Sequence, residues 1–202
     1  MPSQAHAKDT LRRARQEAYR GLILEAAVRV FGAKPYGEAK VAEIALGAGI
    51  ATGTVYACFP SKRDLYRAVH RENLDALAAA YAEIPPGGSV QETILARSGV
   101  STRFLTSRPD YLRMYLREAG GWGFDAEGIP EAAAAFMEDA LYERGVAEGE
   151  LIEEDPGVLQ SLMRASHQVH LSHWLQSGMR EAPADLAGRI QAYAKRAFFR
   201  AS

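Results

Sequence analysis

The chain has 202 residues, 48% apolar and 24% charged, with a net charge of −1. That composition suits a globular protein with a real core, and no apolar run approaches the roughly 20 residues needed to cross a bilayer. The single cysteine, Cys58, excludes a disulfide framework and a multi-cysteine zinc site.

The N-terminus also lacks the apolar segment of a secretion signal, so the chain is expected to stay in the cytoplasm with no membrane contact. Its charge is unevenly spread. Residues 1–72 carry 12 Lys and Arg against 7 Asp and Glu, whereas the remainder carries 12 against 18. A basic end on an acidic body suits a protein that presents one end to a polyanion.

Residues 1–15 read as a flexible basic arm, with Arg12, Arg13 and Arg15 in an arm or helix extension that reaches phosphate or the minor groove; a solvated, frayed helix start is the other reading. The first helix then runs to about Gly32, burying Ile23, Ala27, Val30 and Phe31. Gly32 and the Lys34-Pro35-Tyr36-Gly37 cluster stop it. Val41, Ile44 and Ala45 give the next short helix one apolar face. Gly47-Ala48-Gly49 breaks it, since glycine takes a sharp turn at little cost. A second short helix follows from about Ala51 to Phe59, with Ile50, Val55 and Phe59 for the core. Two short helices about a tight Gly-containing turn form a helix-turn-helix pattern, whose second helix enters the DNA major groove.

Thr52, Gly53 and Thr54 open that second helix with small neutral groups and nothing to repel phosphate. Their hydroxyls suit base edges or backbone oxygens, and Gly53 permits close approach. A small-residue helix packed inside a helical core is the competing reading. Ala57 suits a thymine methyl group. Cys58, near a helix C-terminus, has little to stabilise a thiolate.

Ser61 caps the next helix with Asp64 three residues on, leaving Lys62 beside a helix N-terminus that suits a DNA phosphate. That helix runs from about Lys62 to Ala82 with Leu65, Val69, Leu77, Tyr81 and Ile84 inward. Pro85-Pro86-Gly87-Gly88 ends it and marks the domain boundary.

Every later segment again reads as helix. Ser89-x-x-Glu92 is a capping box, and Ile94, Leu95, Phe104 and Leu105 are core positions of the helix it opens. Pro109 opens the next helix, which carries Leu112, Tyr115 and Leu116. Gly120 to Phe124 reads as a loop and Pro130 begins a helix through about Gly149. Asp155-Pro156 opens a long helix to about Ser177, and Pro183 begins the last, with Leu186, Ile190, Ala194, Ala197 and Phe198 on one stripe. The expected fold is all-α with about nine helices. Residues 16–84 form a helix-turn-helix domain with its linking helix, and residues 89–202 form a second helical domain.

His167, His170 and His173 follow one another at three-residue steps. Neighbours at that spacing share a helix face and could share a metal, but three steps wind around the helix and no carboxylate or cysteine completes a ligand set. A hydrogen bond to a pocket or subunit interface is the plainer role for at least one of them. No metal or cofactor is expected. Gly-rich phosphate loops, nucleophile elbows and paired carboxylates are likewise missing, so the chain does not read as an enzyme.

Ile23-Leu-Glu-Ala-Ala27 with Phe31, Glu43-Ile-Ala45, Ala48-Gly49, Gly53-Thr-Val-Tyr56 and Phe59-Pro-Ser-Lys62 with Leu65 together resemble the N-terminal domain of the TetR family of bacterial transcriptional regulators. The resemblance covers residues 20–69; beyond them only length and helical layout match. It implies a homodimer that binds double-stranded operator DNA and a small-molecule effector, most simply a repressor released by an apolar or aromatic ligand. Lys40, Thr52, Gly53, Thr54, Tyr56, Ala57 and Lys62 become the DNA-contact candidates. Lys40 stands where the family usually has a threonine, and Tyr56 where a family tyrosine meets the backbone; packing of Tyr56 against the first helix is the other reading.

The family's effector pocket lies inside the C-terminal helices. The aromatic and methionine supply there is Phe104, Tyr111, Met114, Tyr115, Trp122, Phe124, Phe136, Met137, Tyr142, Met163 and Trp174. Phe104, Tyr111, Met114, Tyr115, Trp122, Phe136, Met163, His167, His170 and Trp174 are the pocket candidates, although such residues at helical spacing are often plain core. Dimerisation is expected through the helices at about 156–177 and 183–198, where Ala165, Ser166, Gly188, Ala194 and Ala197 permit close approach. A metal- or haem-responsive sensor using the three histidines and a ligand-independent DNA-binding protein are the alternatives.

Overall fold

The computed structural model describes the backbone of residues 4–119 and 139–200, and the side chains of residues 15–117 and 140–200. Nine helices lie among the described residues: α1 (Gln4–Ala33), α2 (Val41–Gly47), α3 (Thr52–Cys58), α4 (Lys62–Ala82), α5 (Val90–Thr106), α6 (Pro109–Ala119), α7 (Asp139–Ala147), α8 (Pro156–Gln176) and α9 (Pro183–Phe198). The fold is all-α, as the periodicity predicts. Among the described residues the sole extended pairing is an antiparallel bridge between Leu151 and Phe199. No single described helix is long and apolar enough to cross a membrane.

Helix starts follow local chemistry. The Ser61 hydroxyl accepts the Asp64 amide at 3.1 Å, and Asp155 Oδ1 accepts Val158 N–H at 2.9 Å ahead of Pro156. At α5 the capping box closes both ways: Ser89 Oγ accepts Glu92 N–H at 3.1 Å, and Glu92 Oε2 accepts Ser89 N–H at 2.9 Å. Each such cap satisfies amides that the helix cannot bond internally.

Of the stretch expected as an arm or helix extension, residues 4–15 are continuous with α1, whose backbone is helical from Gln4. Residues 4–15 contain Ala, Leu, Arg, Lys and Gln but no Gly or Pro, so helix propensity carries the helix outward. The helix expected from Pro130 is described only over Asp139–Ala147. The rest of it, and the expected loop at 120–124, lie outside the described residues.

The Pro85–Gly88 loop divides the sequence more sharply than it divides the packing. One buried cluster joins Ile23, Ala27, Phe31, Ile44, Val55, Leu65 and Val69 of α1–α4 to Leu105, Leu112, Met114, Leu171, Leu186 and Ile190. A file of rings reinforces the join. Tyr36 meets Tyr66 at 4.9 Å between centroids, Tyr66 meets His70 at 4.8 Å, and His70 meets Tyr111 of α6 at 5.7 Å. A second cluster of Val90, Ile94, Leu151, Leu159, Met163, Phe198 and Phe199 closes the far end.

Candidate nucleic-acid interface

Helix α3 leaves α2 at 102°, within the range of helix-turn-helix pairs. The turn is built by Gly49, whose φ of 68° is the left-handed conformation that glycine adopts without a Cβ clash. It lets the Ile50 amide reach back to the Ala45 carbonyl at 3.0 Å and the Gly49 amide to Leu46 at 3.1 Å. These two bonds close a Schellman-type helix end.

Val55 and Phe59 anchor α3, exposed by only 1% and 3%. Their burial turns the opposite face outward. Gly53 and Ala57 are exposed, Tyr56 is 49% exposed, and Thr52 and Thr54 are half-buried. Tyr56 therefore does not pack away against α1. Cys58 is half-buried and, with Gln16, Glu17 and Arg20, lines a shallow surface hollow of about 420 Å³.

Lys40 is exposed at the start of α2, and its amide donates to Glu43 Oε2 at 3.2 Å. Lysine has no acceptor to complete a capping box. Glu43 also pairs with Lys34 at 2.7 Å, and that bond, followed by the Lys40 amide, holds its carboxyl below the ordinary range.

Lys62, expected as a phosphate contact, is engaged within the protein. Its ammonium donates to the carbonyls of Tyr36 at 2.7 Å and Ala39 at 3.0 Å, and sits 4.3 Å from the Tyr36 ring centroid. The charge ties α4 to the α1–α2 loop. The neighbouring Arg63 is the exposed cation at this helix start. Only the helical phase separates the two, which adjacency in sequence does not reveal.

The eight described pocket candidates do not form one group. Phe104, Tyr111, Met114 and Trp174 are no more than 8% exposed and belong to the joined core. Tyr111 Oη lies 3.4 Å from His70 Nδ1, and the Trp174 indole N–H donates to the Glu181 carbonyl at 2.8 Å. Tyr111 and Met114 lie on α6, which packs against α1, whereas Phe104 lies on α5 and Trp174 on α8. Trp122 and Phe136 lie outside the described residues.

Tyr115, Met163 and His167 do share the interior between α5, α6, α7 and α8. The Tyr115 hydroxyl accepts from Gln168 Nε2 at 3.1 Å, Met163 Sδ accepts from the Tyr142 hydroxyl at 3.6 Å, and His167 Nε2 lies 2.9 Å from Thr102 Oγ1. Burial, with the nearby His170 charge, pushes the His167 imidazole down to about 4, so it is neutral at pH 7. Thr102 and Gln168 are polar residues that a search for aromatics passes over.

His170 points elsewhere, with Nδ1 2.9 Å from Arg189 Nη1 and its ring against Tyr193 of α9; His173 is exposed. The three histidines diverge, and no group of three or more His, Cys, Asp or Glu suited to a metal occurs among the described residues.

Residues 23–69 match the family model for bacterial regulatory proteins of the tetR family. No curated protein sequence matches the chain. Among solved structures it is similar to a TetR-family transcription regulator from Marinobacter aquaeolei VT8, with TM-score 0.74 and 21% identity over 93% of this chain and 98% of that one. It is also similar to the transcriptional regulator FadR from Bacillus subtilis in complex with stearoyl-CoA (TM-score 0.73, 18% identity, 86% of this chain and 96% of that one). The ketosteroid regulator KstR2 of Mycobacterium tuberculosis gives a TM-score of 0.72 at 21% identity, covering 90% of this chain and 95% of that one. These likenesses share the fold alone, and the N-terminal match carries the assignment. Residues 23–69 therefore form an N-terminal domain of the tetR family of bacterial regulatory proteins.

Proposed function

We propose that the protein is a dimeric transcriptional repressor that leaves a near-palindromic operator when a small ligand with an apolar or aromatic body enters its C-terminal helices. The observation that carries this reading is the outward face of α3, where Gly53, Tyr56 and Ala57 are exposed beside Thr52 and Thr54. Lys40 and Arg63, both exposed, flank it with charge for phosphate.

One seven-residue helix touches too few bases for useful specificity, so the reading requires two copies. Val158, Leu162 and Val169 of α8 and Tyr193 of α9 are 44%, 48%, 66% and 40% exposed. The first three follow one helix face, and large apolar groups left outward in a row suit a partner. The two α3 helices would then meet successive major-groove faces about 34–36 Å apart. Ligand binding would favour a packing of α4 that spoils this separation, with coupling of about 1–3 kcal/mol changing occupancy roughly 5–150-fold.

Salt titration of operator binding tests the reading. A dimer neutralising about 6–8 phosphates gives a log–log slope near −5 to −7. A slope close to zero at a cognate site would overturn it.

A further inference from the structure

The inward face of α8 carries two nitrogen-bearing side chains, Gln160 and Arg164, that find no partner among the described residues. Gln160 is 8% exposed, and its amide nitrogen meets no acceptor among the described residues. One turn on, Arg164 is half-buried, and among the described residues its guanidinium has neither a hydrogen-bond acceptor nor a carboxylate partner. Residues at this spacing are neighbours on a helix surface. A buried amide donor without an acceptor, or a part-buried cation without a counter-charge, is costly in a folded protein.

The groups around them are already satisfied. Tyr115 is taken by Gln168, Tyr142 by Met163, and His167 by Thr102. Burial raises the Tyr115 and Tyr142 phenols, Tyr142 to about 12, while Arg164 is close enough to oppose the rise in both. Arg164 thus borders the interior that holds these phenols, with Gln160 one turn before it on the same helix face.

Resting on the effector reading above, we propose that Gln160 and Arg164 receive the carboxylate of the effector, an amphipathic acid whose apolar body lies along Met163 and Tyr142. A guanidinium matches a carboxylate through two parallel N–H···O bonds, and the Gln160 amide supplies a third donor. One cation beside a neutral amide balances one negative charge, which fits a carboxylate better than a dianionic phosphate.

The test uses the full chain with a selected operator duplex, and decanoate, 4-phenylbutanoate and their methyl esters as probes. Calorimetry reads binding and fluorescence anisotropy reads DNA release. The acids are expected to bind at least about tenfold more tightly than the esters, since hydrogen bonds to charged groups are the stronger ones. Arg164→Gln should weaken the acids by about 10–100-fold, Arg164→Lys by less, and Gln160→Glu by more than Gln160→Leu, with ligand-free DNA binding unchanged. Equal binding of acid and ester, undiminished acid binding by Arg164→Gln, or no binding of either acid overturns the proposal. Release of DNA by the esters alone defeats the carboxylate site and leaves the effector reading standing. Tight acid binding without DNA release does the reverse.

Discussion

Gly32, near the end of α1, lies directly against the backbone of Asp110 at the start of α6. A Cβ on Gly32 would stand 2.5 Å from the Asp110 carbonyl oxygen and 2.9 Å from its Cα. Backbone cannot swing aside as a side chain can, so α1 and α6 meet this closely only with glycine present. Gly32→Ala is expected to destabilise the fold by about 1–3 kcal/mol, the usual range for overpacking, read as a lower midpoint in urea. An unchanged midpoint would mean that the crossing is looser than described.

The same junction is clamped by Arg117, whose guanidinium donates to the carbonyls of Phe31 and Lys34, both at 2.7 Å, and of Gly32 at 2.9 Å. These are carbonyls at the end of α1, where intrahelical partners run out. Arg117→Met keeps the stem and removes the donors, and should cost about 1–2 kcal/mol in the same denaturation experiment.

Adjacent cations at the start of α4 should behave oppositely. Lys62→Met is expected to lower thermal stability by breaking the bonds to Tyr36 and Ala39. Arg63→Gln should leave the melting temperature alone and reduce the salt slope of DNA binding by about one per protomer. Anisotropy titrations at several salt concentrations, beside thermal melts, separate the two.

His167 makes stability depend on pH. Its folded value of about 4 lies below the ordinary 6.5, so the unfolded chain binds the extra proton first as pH falls. Stability is full above about pH 6.5 and is lost progressively toward pH 4, by up to about 3 kcal/mol from this group. His170 is lowered too, by burial and then by the Arg189 charge, and acts in the same direction. His167→Gln should flatten the dependence over that window in urea titrations at stepped pH.

Val169→Glu places a charge in the outward apolar row of α8. It is expected to leave the far-ultraviolet circular dichroism unchanged, shift the mass by light scattering from dimer to monomer, and abolish operator binding. A dimer that persists would move the interface elsewhere.

Much of this molecule was readable from residue order. The Gly49 turn, the Ser61, Ser89 and Asp155 caps and the apolar faces of α2 and α3 are written in short-range spacing, because the forces behind them act within one turn of chain. What escaped depends on partners far away in sequence or on rotational phase. Lys62 and Arg63 differ in fate by about 100° around one helix. Tyr111 looks like a pocket residue by type, yet it lies against His70 of α4, a contact between residues 41 apart in sequence. Polar Gln160 and Arg164 gave no signal beside the aromatics, since an unmet donor exists only once its surroundings are assembled.

What α3 touches decides whether the protein reads an operator. Selection of duplexes from a random pool, followed by anisotropy with wild type, Thr54→Ala and Tyr56→Phe, measures it. The expected result is an inverted repeat with half-site centres about one helical turn apart, bound about 5–100-fold more weakly by each variant with unchanged folding. Failure to enrich any repeat, or full affinity in both variants, would contradict it.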